Sequence, residues 1–233
     1  MEHPETLSAL VLAAVWFGFF HTLIGPDHYL PFVALSKARG WSFSKTTLIT
    51  FLCGCAHVLS SVVIGAVGLG IGMAVGALED VEGTRADIVK WLLLCFGLFY
   101  TVWGVKKALQ DKVHMHTDGT LHAHSHGFLK HEHKIPVRSS TNFWMLFIVF
   151  VFGPCEVLIP LLMAPAAAFD WTGVAMVTLA FSVATLTTML VMVSALYHGL
   201  SLIKINMAGV QRWSHALAGL VLMLCAAVMF AGL

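Results

Sequence analysis

The chain has 233 residues, of which 58% are hydrophobic and only 11% are charged, and its formal net charge is +1. Because soluble domains carry about 25% charged residues, this composition excludes an ordinary soluble protein and indicates an integral membrane protein. No soluble basic face is evident that would favour nucleic acid as a partner.

Six apolar segments approach or exceed the length of about 20 residues that a helix needs to cross a bilayer. We therefore predict an all-α polytopic protein of the cell inner membrane with six transmembrane helices. The first segment follows a start that lacks the basic region of a signal peptide, so we expect a retained first helix. The predicted spans are 7–24, 46–75, 88–107, 143–163, 172–200 and 213–233.

Lysine and arginine are concentrated in the first, third and fifth connections between these helices, which hold 11 of the 13 basic residues. The positive-inside rule places these three connections in the cytoplasm and both termini outside. The second connection carries Arg85, Lys90 and four acidic residues, including Glu82. We expect it to be exposed outside the cell.

The first helix ends in an unusually polar sequence in which His21 is followed by Gly25-Pro26-Asp27-His28. Ionisable groups in an apolar segment are costly and therefore mark functional candidates. Pro26 lacks an amide N–H and clashes with the preceding turn, so it predicts a helix break that leaves upstream carbonyls available to a cation. Irregular backbone at membrane depth must be enclosed by protein or line a watery cavity.

The broken motif recurs in the second half of the chain. Aligning the two halves without gaps places Gly-Pro-Asp-His at 25–28 over Gly-Pro-Cys-Glu at 153–156. The same alignment places His57 over Thr185, and a slightly shorter shift places Gly97 over Gly219. The sequence therefore indicates an internal repeat.

Each half has three predicted crossings, so the two halves would be inverted relative to each other. Inverted repeats with broken helices are common in secondary transporters, which bind substrate where the repeats meet. We therefore assign 1–107 to a first three-helix repeat, 108–142 to a cytoplasmic loop and 143–233 to a second repeat, with breaks in helices 1 and 4.

Imidazole and carboxylate groups at these breaks suit divalent transition metals, and a cysteine shifts the preference towards thiophilic ions. The candidate metal ligands are His21, Asp27, His28, His57, Cys155 and Glu156. Hydroxyl groups on the second helix of each half could support them, or could instead bind carbonyls of their own helices. These supporting candidates are Ser60, Thr185 and Thr188.

These motifs resemble those of the nickel/cobalt transporter superfamily. The spacing His-x5-Asp-His from His21 to His28 is similar to that of the hydrogenase- and urease-linked nickel permeases, and close to the His-x4-Asp-His of the nickel-cobalt permeases. Gly-Pro-Cys-Glu at 153–156 resembles the Pro-Cys element of the efflux members and urease accessory membrane proteins. The resemblance implies nickel or cobalt as the substrate, although the permease branch has eight helices.

The long third connection is rich in histidine, with seven of these residues between positions 114 and 133. Such tracts favour metal binding, and alternating His-x-His cannot share one helical face. We expect a mobile chelator of low selectivity that captures metal or regulates transport, the alternative being a polar or pH-sensitive linker. The seven are His114, His116, His122, His124, His126, His131 and His133.

We therefore predict a transporter of divalent transition-metal ions, with alternating access around a midplane site and efflux preferred over import. The metal is the substrate, no cofactor or enzymatic activity is expected, and the partners are the metal and the bilayer, with a homo-oligomer left open. Three other activities also remain open. They are a thiol–disulfide electron carrier using Pro154-Cys155, an intramembrane metalloenzyme and an exporter of a small sulfur oxyacid.

Overall fold

The computed structural model describes residues 4–110, 112–115, 121–124, 140–153, 155, 157–167, 171–202 and 207–232. Apart from one small hairpin, its regular structure is helical. The helices are α1 (Pro4–Ile24), α2 (Leu30–Arg39), α3 (Phe43–Gly70), α4 (Val75–Gln110), α5 (Ser140–Phe152), α6 (Leu158–Ala167), α7 (Trp171–Leu202) and α8 (Met207–Phe230). A 3-10 turn (Pro26–His28) separates α1 from α2, and strand β1 (Lys112–Met115) pairs antiparallel with β2 (Leu121–His124).

Five of the described helices, α1, α3, α4, α7 and α8, are long and apolar enough to cross a membrane. Their outer faces carry large apolar side chains such as Trp16 and Phe99, which are 53% and 68% exposed. An apolar surface of this kind requires lipid rather than water. The chain is therefore a multi-pass membrane protein in contact with the bilayer.

The predicted fourth span, 143–163, is divided between α5 and α6, which have 13 and 10 residues. Each is shorter than the roughly 20 residues that a single crossing helix requires. The predicted break in this segment is thus present, whereas a sixth crossing built from the two short helices stays a prediction.

Helix α4 begins earlier than the sequence predicts, at Val75 rather than residue 88. Its 36 residues extend about 54 Å at 1.5 Å per residue, more than the roughly 30 Å of the hydrocarbon core. The second connection is therefore largely helical. The expectation that Glu82 and Arg85 are exposed there is wrong, because both side chains are buried inside the protein.

Basic residues from the three lysine- and arginine-rich connections lie at one end of the helix bundle. Arg39 Nε donates to the Tyr100 hydroxyl at 3.0 Å, and Tyr100 also contacts His215 Nδ1 at 3.0 Å. Lys107 Nζ contacts His215 Nε2 at 3.1 Å, and Arg212 Nε donates to the Ala108 carbonyl. This grouping agrees with the charge pattern of the sequence, whereas the side of the membrane that it faces stays a prediction.

The two halves of the chain are interlocked. Helix α1 packs against α7, α5 packs against α3, and α4 packs along α8. The α4–α8 seam is antiparallel, because Trp91 contacts Phe230 at the end of α8, with ring centroids 5.2 Å apart, whereas Lys107 near the end of α4 contacts His215 near the start of α8. Gly97 and Gly219 meet at this seam, where a Cβ on Gly219 would lie 2.7 Å from the Gly97 carbonyl oxygen.

The two helix breaks occur at equivalent positions. Helices α1 and α5 end at Ile24 and Phe152, and α2 and α6 begin at Leu30 and Leu158. The alignment that superimposes the two motifs in sequence also pairs these helix ends and these helix starts. The breaks therefore repeat in structure as in sequence, while the inverted relation of two three-helix repeats stays a prediction.

Candidate metal centre

The first break, between α1 and α2, is held by hydrogen bonds within its own segment. The Gly25 N–H donates to the His21 carbonyl and the His28 N–H donates to the Gly25 carbonyl, both at 3.1 Å. The Tyr29 hydroxyl donates to the Leu23 carbonyl at 3.3 Å. One of the carbonyls that the helix break was expected to offer to a cation is therefore bound by a protein donor.

Within this break, the His28 ring lies against the Gly25 backbone. A Cβ on Gly25 would lie only 2.6 Å from His28 Nδ1, so a larger residue there would force the His28 ring to move. His28 Nδ1 is 3.2 Å from the Gly25 carbonyl oxygen and 3.3 Å from Asp27 Oδ1. A histidine held at one nitrogen by a carboxylate or carbonyl presents the other nitrogen to a metal, which suits Asp27 to orienting His28.

The second break, between α5 and α6, brings its backbone against another histidine. A Cβ on Gly153 would lie 3.0 Å from His57 Nδ1. Cys155 is fully buried in this break, and its carbonyl accepts from the Leu158 N–H at 2.9 Å as α6 begins. Pro154 and the predicted ligand Glu156 lie outside the described residues.

Three predicted ligands from separate elements converge at these breaks. His21 on α1, His57 on α3 and Cys155 each offer one ligand atom, and the three atoms lie within 4.8 Å of one another. The His28 ring is close to both histidines, with centroid distances of 4.6 Å to His21 and 5.2 Å to His57. Because zinc-type ligands at 2.0–2.3 Å from the ion lie about 3.5 Å apart, a modest inward movement would complete a site.

In the described part of the chain, four histidine ring nitrogens are buried without a hydrogen-bond partner. They are Nε2 of His21, Nε2 of His28, and Nδ1 and Nε2 of His57. A buried polar group without a partner costs about 1–3 kcal/mol. All four belong to the converging group. Because an imidazole binds a given ion through only one of its two nitrogens, a metal ion here could satisfy one nitrogen on each of the three histidines.

A cavity of about 370 Å³ lies beside this group and is lined by His21, Asp27, His28, His57 and Gly153. Apolar side chains from α4, α5 and α8 form much of its remaining wall, including Leu93, Val149 and Met229. Since one water molecule occupies about 30 Å³ of liquid, the cavity has room for a metal ion with several waters.

The three supporting hydroxyls have different surroundings. Ser60 Oγ donates to the His57 carbonyl at 2.7 Å, and Thr188 Oγ1 donates to the Ala184 carbonyl at 2.8 Å. Both therefore follow the alternative of binding their own helix. Thr185 Oγ1 is buried without a hydrogen-bond partner among the described residues.

Sequence reasoning missed a buried ion pair beside the second break. Glu82 and Arg85 pair on one turn of α4, and Glu82 Oε2 accepts a hydrogen bond from the Cys155 N–H at 3.1 Å. Opposite charges three residues apart just before an apolar run were the available signal. They were instead interpreted as part of an exposed connection.

The histidine-rich loop contains a short hairpin rather than only irregular chain. In its backbone register His114 pairs with His122, and Lys112 pairs with His124. The expectation that the tract is a mobile chelator stays a prediction. His116, His126, His131 and His133 lie outside the described residues.

No protein-family model, curated protein or solved structure matches this chain. The resemblance to nickel/cobalt transporters therefore depends on the two motifs at 21–28 and 153–156. Independently of that resemblance, the geometry provides a buried His/His/Cys group in a membrane protein that could hold a metal ion.

Proposed function

We propose that this protein transports divalent transition-metal ions across the membrane. The observation that carries the proposal is the convergence of three histidines, each with an unpartnered ring nitrogen, with the Cys155 side chain. Imidazole nitrogens and a thiolate are strong ligands for transition metals. A substrate ion bound here would satisfy one nitrogen of each histidine and could exchange with the adjacent cavity, which the three histidines line.

The donor set favours nickel, cobalt and zinc over magnesium, calcium and manganese, which prefer oxygen ligands. His21, His28 and His57 supply nitrogen, and Cys155 supplies sulfur. Among the three favoured ions, we propose nickel or cobalt as the substrate because of the motif resemblance.

The location of the group supports transport. Ligands from α1 and α3 meet a ligand from the second break, so the site lies between the two halves of the chain. Broken helices meeting between repeats are a recurrent design of alternating-access transporters. We propose that the halves form inverted repeats, that the basic end is cytoplasmic, and that the histidine-rich loop there supplies metal for efflux.

The deciding experiment measures flux by the purified protein in liposomes with nickel, cobalt, zinc, manganese and iron. We expect saturable movement of nickel or cobalt and little movement of manganese. Substitution Cys155→Ser should reduce the preference for nickel or cobalt over manganese by about tenfold, since hydroxyl oxygen is a harder ligand. Cys95→Ser, at an exposed cysteine of α4, is the matched control.

Absence of flux for all five metals in well-folded, correctly reconstituted protein would contradict the transport proposal. Equal flux of manganese and cobalt, unchanged by Cys155→Ser, would contradict the assignment of the His/Cys group as the transport site.

A further inference from the structure

The carbonyl end of α5 stops at the second break, where its last carbonyls have no next helical turn to bind. Arg85 Nη2 donates to the Val151 carbonyl at 2.8 Å and to the Gly153 carbonyl at 3.1 Å. A guanidinium suits this position because a helix C-terminus carries partial negative charge. Arg85 thus binds two backbone carbonyls at the end of α5 and in the break.

The other side of the same break is held by the paired carboxylate. Glu82 Oε2 accepts from the Cys155 N–H at 3.1 Å and lies 3.4 Å from Ser61 Oγ. Glu82 is fully buried, and a carboxylate suits backbone N–H groups near the start of a helix. The positive Arg85 therefore contacts backbone carbonyls, and the negative Glu82 contacts a backbone N–H.

Arg85 also connects the break to the helix that carries His57. Its Nη2 donates to Ser60 Oγ at 2.8 Å, and Ser60 Oγ donates to the His57 carbonyl at 2.7 Å. One guanidinium therefore holds Gly153 on one side and the backbone of His57 on the other. These are the two segments that must stay close for Cys155 and His57 to share a metal.

We infer that Glu82 and Arg85 are positioning residues that set the distance between Cys155 and the histidines. A second pair on α4, Asp87 and Lys90, has the same three-residue spacing. Its acid is 70% exposed and 3.1 Å from the lysine, as expected of an ion pair on the surface. The Glu82–Arg85 pair differs because both of its members also bind the broken backbone.

The test measures the proximity of Cys155 and position 57 without metal. It uses the Cys155 ligand of the proposed function, but its readout does not depend on metal binding or transport. The background protein carries His57→Cys together with Cys53→Ala, Cys55→Ala, Cys95→Ala and Cys225→Ala. A short bifunctional methanethiosulfonate joins the two remaining thiols, and mass spectrometry quantifies the cross-linked peptides.

We expect efficient cross-linking in this background and a loss of about tenfold with Glu82→Gln or Arg85→Met, because charged hydrogen bonds to the break are removed. The control Glu79→Gln changes an exposed glutamate on the same helix and should leave the yield unchanged. The conservative Arg85→Lys should give an intermediate yield, since lysine keeps the charge but cannot bind several acceptors as a fork.

The double exchange Glu82→Arg with Arg85→Glu keeps an ion pair but reverses its direction relative to the break. We expect it not to restore cross-linking. Unchanged yields in the folded single variants, or full recovery in the exchange, would overturn the positioning role. If the neutral variants do not fold, the cross-linking yield of Arg85→Lys is compared with that of the background. A lower yield supports the positioning role, and an equal yield contradicts it.

The two proposals can fail separately. Charge-dependent cross-linking in a protein that moves no metal would leave the positioning role intact and contradict transport. Metal flux together with a cross-linking yield that does not depend on Glu82 or Arg85 would support transport and contradict the positioning role.

Discussion

The two helix breaks have the same position in their halves but are held together by different means. In the first, the contacts come from neighbouring residues, with Tyr29 binding the Leu23 carbonyl and His28 lying against Gly25. In the second, Glu82 and Arg85 reach the break from a helix far earlier in the sequence. Both breaks have local backbone hydrogen bonds, but the second also has side-chain hydrogen bonds from a distant helix.

This difference matches the candidate metal ligands at each break. The first supplies His28, whose Nδ1 lies close to Asp27 and the Gly25 carbonyl, so the ligand and its support belong to one short sequence. The second supplies Cys155, whose backbone N–H is held by Glu82. Two similar helix breaks thus position a histidine by contacts within its own segment and a cysteine by contacts from a distant helix.

The largest effect is expected at His57, which lies between the two breaks. His57→Ala should weaken metal binding by more than about 100-fold, beyond the 10–100-fold typical of residues that only orient a ligand. Isothermal titration with cobalt on the purified protein measures this. His198→Ala, at an exposed histidine of α7, is the control, and equal affinities of the two variants would place His57 outside the site.

A smaller effect is expected at Asp27 if it orients His28 instead of binding metal. Asp27→Asn keeps a hydrogen-bond acceptor but loses the charge, so affinity should fall by about tenfold. Asp80→Asn, at an exposed acid of α4, provides the comparison. A loss as large as that of His57→Ala would instead make Asp27 a direct ligand, as the sequence suggests.

Stability should distinguish the two glycines at the breaks. Gly25→Ala places a Cβ 2.6 Å from His28 Nδ1, whereas Gly153→Ala places one 3.0 Å from His57 Nδ1. Overpacking typically costs about 1–3 kcal/mol, so thermal unfolding should show the larger loss for Gly25→Ala. The control Gly199→Ala adds a Cβ that meets nothing within 4 Å, and the interpretation fails if all three variants melt alike.

The smallest effect on the site should come from the segment that belongs to neither break. Deletion of residues 114–133 removes all seven loop histidines but none of the converging ligands. Apparent affinity or regulation should change, while flux at saturating metal is preserved in vesicles of known orientation. Complete loss of saturating flux in a well-folded deletion would show that the loop is part of the permeation path.

The first break could be predicted from sequence because the proline that interrupts the helix and the ionisable residues beside it lie within one short segment. Pro26 predicts the interruption, and His21, Asp27 and His28 are ionisable groups too costly to place in an apolar segment without a role. The internal repeat then indicated the second break and Cys155. Local rules and one alignment of the two halves therefore pointed to residues that the structure brings together, His21, His57 and Cys155, whereas their role as metal ligands stays a prediction.

The supporting contacts could not be predicted in the same way. Hydropathy treats Glu82 and Arg85 as loop residues because it counts their charges without knowing their partners. Those partners, Val151, Gly153 and Cys155, come much later in the chain. Asp27 is adjacent to His28 in the sequence and its Oδ1 lies 3.3 Å from His28 Nδ1, and its role as a direct ligand stays a prediction.

The spacing of the Glu82–Arg85 pair also bears on how the chain is made. Helix α4 leaves the ribosome before the second break has been synthesised, so at that stage neither charge has the backbone contacts described above. Because the two residues lie three positions apart on one helix, each can neutralise the other from the moment the helix forms. The two charges can therefore pair before the second half has been synthesised. In the first half expressed alone, Glu82 and Arg85 would lack the backbone groups of the second break to which they bind in the full chain.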